Sequence, residues 1–323
     1  MILLWRVTTL CNQACGFCAY DRRLAMARVA VAAEEVERVS LLVAAAAEAR
    51  GERLLVSWLG GEPFVWEPLL NVSARLALHP AVRVSATTNG SRLGSAAVRA
   101  AVLKHFAELT FSLDGSAGVH DRLRGTPGAH DRAAAAIQAL AAERAARGAG
   151  LRLRVNSVLM RRTLPGFADL SRTVAGWGVD EITFNQLGGR DRPEFFPDEA
   201  LTPGDVAQLR ALLPELRAEL AARDVRLCGS ELYLERFAAS SRGEPLAAAE
   251  PCIPGEQMLF VDERGLVAPC SFTGPELGVP TTELRSVADV QALGGGFARR
   301  RALGPKLNCS DCPSTQLHGK FAA

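Results

Sequence analysis

Three cysteines fall within eight residues near the start of the chain, in Cys11-Asn12-Gln13-Ala14-Cys15-Gly16-Phe17-Cys18, spaced C-x3-C-x2-C. Thiolates that close in sequence can each bind one iron of a four-iron cube, whereas disulfide pairing requires even numbers. Three ligands for four irons leave one iron open, so a cluster held here can do chemistry as well as carry electrons. The competing readings are a structural zinc site or three unrelated buried cysteines. Zinc favours four ligands, and nothing adjacent supplies the fourth.

Other residues add to this chemistry. In Gly60-Gly61-Glu62-Pro63 two glycines allow a close backbone approach, and the carboxylate can accept hydrogen bonds from an ammonium group. In Leu109-Thr110-Phe111-Ser112-Leu113-Asp114-Gly115, Ser112 and Asp114 fall on one face because side chains alternate along a strand. They either face a cofactor or cap the following loop. Four more cysteines, Cys252, Cys270, Cys309 and Cys312, end in a C-x2-C pair and suffice for a fully ligated site; on spacing alone, zinc competes with iron–sulfur there. Cys228 stands alone, read as a small buried hydrophobe or as a thiol that returns a hydrogen atom to a radical.

The elements that must position these residues alternate. Branched apolar runs at 2–8, 53–59, 82–88, 109–115, 151–160 and 180–187 read as strands. Helical stretches at 34–50, 68–78, 95–106, 130–147 and 165–177 separate them, several closed by glycine. His120-Asp121-Arg122-Leu123-Arg124-Gly125 reads as a solvated loop whose charges position the chain. Six alternations predict a parallel sheet with right-handed crossovers, and an ordinary doubly wound sheet would look similar. The cysteine loop then lies at the C-terminal end of the first strand, where α/β barrels build their sites. Thr202 and Pro203 open a long helix to about 223, followed by a short strand at 225–228 and a helix at 230–239. A small, polar linker is expected at 240–250, then a hairpin (257–261 and 266–269) and a helix from Ser286 towards Leu293. The division is 1–223, a connecting segment 224–250, and 251–323.

On these residues the chain resembles the radical SAM enzymes, whose hallmark is C-x3-C-x2-C with an aromatic residue, here Phe17, before the last cysteine. The resemblance implies a partial (β/α)6 TIM-like barrel and a 4Fe–4S cluster on Cys11, Cys15 and Cys18. S-adenosylmethionine would chelate the open iron and be cleaved to a 5′-deoxyadenosyl radical that removes a hydrogen atom from substrate. It also implies that Gly60, Gly61, Glu62 and Pro63 hold the methionyl amino group. Asn89, Ser112, Asp114 and Asn156 join Phe17 in the candidate cofactor-binding set. The segment Ser112-Leu113-Asp114-Gly115 followed by H-D-x-x-R-G is common in members with a C-terminal cluster domain, including peptide and protein maturases. The pattern C-x17-C with a distant C-x2-C resembles the twitch domain, a shortened SPASM domain, implying one auxiliary 4Fe–4S cluster on the last four cysteines. Sulfatase-maturating members carry an aspartate base immediately after the cysteine equivalent to Cys270; Ser271 here argues against that activity.

Composition sets the bounds. At 323 residues and 48% hydrophobic, the chain can bury a large core. A net charge of +2 gives no electrostatic case for nucleic acid or an anionic membrane. Apolar runs such as Leu41 to Ala47 are far shorter than the ~20 residues of a membrane span. No secretory leader is evident, so the cysteines are expected in a reducing, cytoplasmic compartment. The function expected is radical activation of a C–H bond in a maturing peptide, although no N-terminal peptide-recognition segment precedes the first strand. The alternatives are oxidation, dehydration or epimerisation of a sugar or aminocyclitol, and a non-catalytic cluster protein. A reductant such as flavodoxin or ferredoxin completes the expected partners.

Overall fold

In the computed structural model, residues 1–188, 192–244, 255–303 and 320–321 are described. The first half alternates β1 (Ile2–Arg6), α1 (Ala33–Glu48), β2 (Leu54–Leu59), α2 (Leu69–Leu76), β3 (Val82–Thr88), α3 (Ala96–His105) and β4 (Glu108–Ser112). Then come α4 (Ala117–Arg124), α5 (Ala129–Arg147), β5 (Arg152–Leu159), α6 (Phe167–Ala175), β6 (Glu181–Gln186), α7 (Phe196–Glu199), α8 (Pro203–Ala221), β7 (Arg226–Leu227) and α9 (Glu231–Ser241). The described part of the C-terminal region holds β8 (Met258–Val261), β9 (Leu266–Ala268), α10 (Gly274–Leu277), β10 (Val279–Pro280) and α11 (Val287–Ala302).

One sheet runs in the order β10-β9-β8-β1-β2-β3-β4-β5-β6-β7. From β1 to β7 every pair is parallel. This is a partial TIM-like barrel, as expected. The C-terminal hairpin joins the same sheet, because β8 lies parallel to β1 from Ile2↔Met258 to Trp5↔Val261, with β9 antiparallel to it.

Strand alternation sorts the side chains into two faces. Leu3, Trp5, Leu54, Val56, Trp58, Val84, Ala86, Leu109, Phe111, Val155 and Phe184 are buried in the main core. The helices bring matching stripes: α1 buries Val36, Val39, Val43 and Ala47, the i, i+3, i+7 rhythm of one helical face. Leu4, Arg6, Leu59, Thr87, Ser112 and Phe260 face the opposite way, onto a shared cavity. Ser112 pairs in register with Asn156, and Asn156 with Thr183, so this face continues across β5 and β6.

Two segments depart from the sequence reading. Residues 117–124 form a helix, α4, with His120 and Arg124 buried. It ends at Gly125 in the left-handed conformation, φ 54°, and Leu123 packs inward; charge alone had marked the segment as solvated. The last helix, α11, runs to Ala302, through Gly294, Gly295 and Gly296. Each glycine costs about 1 kcal/mol relative to alanine. A Ser286–Asp289 capping box and the burial of Val290, Leu293 and Phe297 offset that cost. Arg38 on α1 also donates to the carbonyls of Thr281 and Leu284 just ahead of α11.

Candidate active site

The cysteine loop has no regular secondary structure; it is held by its neighbours. From one side, the amides of Gly61 and Glu62 donate to the carbonyls of Thr8 and Leu10, both at 2.8 Å. From the other, the amides of Ala14 and Gly16 donate to the carbonyls of Arg124 (3.0 Å) and Leu123 (3.2 Å) at the end of α4. A Cβ on Gly61 would overlap the Leu10 carbonyl, and one on Gly125 would lie 2.5 Å from the Ala14 carbonyl. These glycines are therefore needed for backbone to pack on backbone around the cysteines. Asn12 is fixed as well, donating to Ser91 Oγ (2.7 Å) and accepting from Asn89 Nδ2 (2.8 Å).

The result is a cavity of about 290 Å³ lined by Cys11, Cys15, Cys18, Phe17, Gly60, Gly61, Glu62, Asn89, Ser112 and Arg124, among others. It lies at the C-terminal ends of β1 to β4, the functional end of a barrel. Burial pushes the Cys11 thiol up to about 11 and the Cys15 thiol up to about 12, so both are neutral until a metal deprotonates them. Neither cysteine is in a disulfide, nor is Cys18. Among the described residues, the lining contains no fourth cysteine and no histidine. By donor type and number, three thiols on one wall suit the cluster with an open iron that the motif implies.

Glu62 is 1% exposed. Oε1 accepts from Thr88 Oγ1 (2.7 Å) and the Phe64 amide (3.1 Å), and Oε2 accepts from the Asn89 amide (2.7 Å). Burial raises its pKa, and these donors work against that rise. The carboxylate is locked in orientation, and Oε2 keeps capacity for another donor.

Arg124 was missed as a site residue. Asp114 Oδ2 accepts from Arg124 Nε (2.7 Å) and pairs with Nη2 (2.6 Å), while Asp114 Oδ1 accepts from the Val158 amide (2.9 Å). Burial works against the Arg124 charge, but Asp114 and the neighbouring thiols more than offset it and its pKa is raised. Nη1 reaches Cys15 Sγ at 3.9 Å, and the guanidinium lies 5.4 Å from the Phe17 ring centre. His120 Nδ1 accepts from the Asp114 amide at 3.1 Å, leaving Nε2 with the proton and no hydrogen-bond partner among the described residues. The available signal was spacing: His120 and Arg124 stand four apart, on one face of a helix that Gly125 terminates.

Not every candidate lines the cavity. Pro63 opens a short 3-10 turn behind Glu62. Asp114 reaches the site through Arg124. Asn156 Oδ1 accepts from Thr183 Oγ1 (2.9 Å) and Lys320 Nζ (3.1 Å) inside the barrel. Cys228 is fully buried beyond β7, where burial pushes its thiol up. Cys270 follows β9, 3.4 Å from Thr273 Oγ1, and its neighbour Ser271 does line the cavity. Cys252, Cys309 and Cys312 lie outside the described residues. Among those described, no helix is long and apolar enough to cross a membrane.

A parallel partial barrel with three thiols, an anchored glutamate and glycines at its strand ends is the architecture of the radical SAM superfamily, and that family's model matches residues 5–170. The chain belongs to this superfamily and is an enzyme of that type, which implies S-adenosylmethionine and a 4Fe–4S cluster as cofactors. Among its relatives are the AdoMet-dependent heme synthases of Oleidesulfovibrio alaskensis and Methanosarcina barkeri. The first is 22% identical over 86% of this chain and 71% of the relative; the second is 23% identical over 84% and 76%. Among solved structures, anSMEcpe with bound AdoMet aligns at TM-score 0.65 and 16% identity, over 92% of this chain and 82% of that one. SuiB of Streptococcus suis bound to S-adenosylmethionine aligns at TM-score 0.61 and 18% identity, over 84% of this chain but only 60% of SuiB. These structural likenesses show the fold.

Proposed function

We propose that this enzyme uses S-adenosylmethionine to take a hydrogen atom from an unactivated C–H bond of a peptide. The observation that carries this reading is the one cavity in which Cys11, Cys15, Cys18, Glu62, Asn89, Ser112 and Arg124 meet. When bound, the cluster supplies the electron that cleaves the sulfonium and releases the 5′-deoxyadenosyl radical. The chain's own part is to bind and orient. Glu62 and the carbonyls of its turn suit an ammonium group, and the Ser112 hydroxyl and the Asn89 side chain offer polar contacts on the same wall. Phe17, Leu4, Leu59 and Phe260 supply apolar surface that excludes water from a reactive radical.

The peptide reading is supported by folds of this kind solved with peptides: SuiB with precursor peptide SuiA, and anSMEcpe with the Kp18Cys peptide. The sequence relatives favour a second reading, a tetrapyrrole step in heme synthesis. We place an auxiliary 4Fe–4S cluster on Cys252, Cys270, Cys309 and Cys312, with Cys270 next to the cavity wall. It would accept the electron left on a substrate radical, while flavodoxin or ferredoxin reduces the first cluster.

Anaerobic reconstitution tests the reading: about eight irons per chain, and 5′-deoxyadenosine on reduction with S-adenosylmethionine. Mass spectrometry after incubation with candidate precursor peptides or with tetrapyrrole precursors of heme separates the substrates. A modified tetrapyrrole with unmodified peptides would overturn the peptide assignment, and zinc at the C-terminal cysteines would remove the auxiliary cluster.

A further inference from the structure

We propose that Arg124 sets the reduction potential of the cluster on Cys11, Cys15 and Cys18, holding it higher by fixing a positive charge against one ligand sulfur. The proposal rests on the reading of that loop as a cluster site. Its basis is how the guanidinium is divided. Nε and Nη2 go to Asp114 Oδ2, and Nη1 is left for Cys15 Sγ at 3.9 Å. Nothing in this arrangement is free to swing. Asp114 is tied to β5 through the Val158 amide at 2.9 Å. The Arg124 backbone carbonyl accepts from Ala14, one residue before Cys15, at 3.0 Å. The same residue thus fixes the cysteine loop through its backbone and the sulfur's surroundings through its side chain.

The charge acts where screening is weakest. Arg124 is 8% exposed, Asp114 1% and Cys15 6%, and charges out of contact with water interact far more strongly than at a surface. The other arginine lining the cavity, Arg6, is paired with Glu263 at 3.0 Å and lies over the rings of Tyr20 and Phe260. Adding an electron makes a cluster and its sulfurs more negative, so a fixed cation beside Cys15 favours the reduced state. Asp114 opposes it, meeting Cys15 only through the guanidinium. The two residues therefore pull the potential in opposite directions, so removing the aspartate alone and removing the pair should shift it with opposite sign.

The test is an EPR-monitored redox titration of the anaerobically reconstituted full chain, without S-adenosylmethionine. The relevant signal is the one that Cys15→Ala abolishes. Replacing the pair together, Asp114→Asn with Arg124→Gln, leaves no stranded buried charge and is expected to lower the reduction equilibrium at least tenfold, 59 mV for one electron. Asp114→Asn alone, which leaves the arginine unopposed, is expected to raise it. Arg124→Lys keeps the charge and should stay close to the wild type. Unchanged potentials in the double and single Asp114 variants, with the cluster present, overturn the proposal. So does a change confined to the affinity for S-adenosylmethionine. If the wild type gives no Cys15-dependent signal, it is the cluster reading itself that fails.

Discussion

His120 shows how much of this site depends on one buried neutral group. Burial holds its pKa down at about 4, and the nearby Arg124 charge adds to the effect. Its Nδ1 must stay unprotonated to accept the Asp114 amide at 3.1 Å. The sign follows from linkage: a histidine that is harder to protonate when folded contributes fully above its unfolded value, near 6.5, and that contribution is lost as pH falls towards 4. Wild-type stability in urea should therefore drop between pH 6.5 and 4 by roughly 3 kcal/mol from this group. A His120→Gln variant, whose amide oxygen can take the same bond, should lose that part of the slope. Parallel slopes for the two proteins would refute the assignment.

The same scale shows what the sequence made legible. Of the nine cavity-lining candidates, the thiols, the Gly60-Gly61-Glu62 turn and Ser112 can be read from residue type and spacing, because they carry their chemistry locally; Phe17 and Asn89 come from the family resemblance. Arg124 could not be read this way. Its importance comes from a bond to Asp114 ten positions earlier and a sulfur 109 positions away, and neither is visible until α4 folds against the loop.

At the scale of elements, the cysteine loop is gripped by the turn after β2 and the end of α4. Gly61 is the tightest point, since any Cβ there meets the Leu10 carbonyl. Gly61→Ala should cost more than about 2 kcal/mol, the range for forced backbone displacement. It should also lower iron loading, because the turn and the loop move together. Chemical denaturation and iron analysis check both. A variant with wild-type stability and a full cluster would show that the grip is dispensable. Helix α11 illustrates the limit of local propensity in the other direction: it is expected only towards Leu293, yet it continues through three consecutive glycines to Ala302, with Phe297 beyond them fully buried. Burial of Val290, Leu293 and Phe297 together, with the cap at Ser286, offsets three unfavourable backbone choices.

For the molecule as a whole, the C-terminal region is part of the barrel sheet, through β8 beside β1, and it also sends a side chain inside. Lys320 is buried with Asn156 Oδ1 as acceptor at 3.1 Å, and among the described residues no carboxylate answers it. Burial, then the Arg154 charge, brings its pKa down to about 7. The neutral amine is therefore the form the fold favours. Its contribution is complete above the unfolded value of about 10.4 and fades as pH falls from there through 7. Lys320→Met should flatten the fall in stability between pH 10 and 7, as read by guanidinium unfolding at several pH values. A variant that keeps the wild-type slope would place the amine in water. The sequence offered no hint of this, since Lys320 stands in no local pattern that would betray it.

The most direct measurement of the central claim is 5′-deoxyadenosine formed from S-adenosylmethionine under one-electron reduction, in the reconstituted wild type and in Cys11→Ala, Cys15→Ala and Cys18→Ala. The account predicts formation by the wild type and none by any of the three variants, with about four irons fewer per chain in each. Cleavage that persists without these thiols, or its absence from a fully iron-loaded wild type, would contradict it.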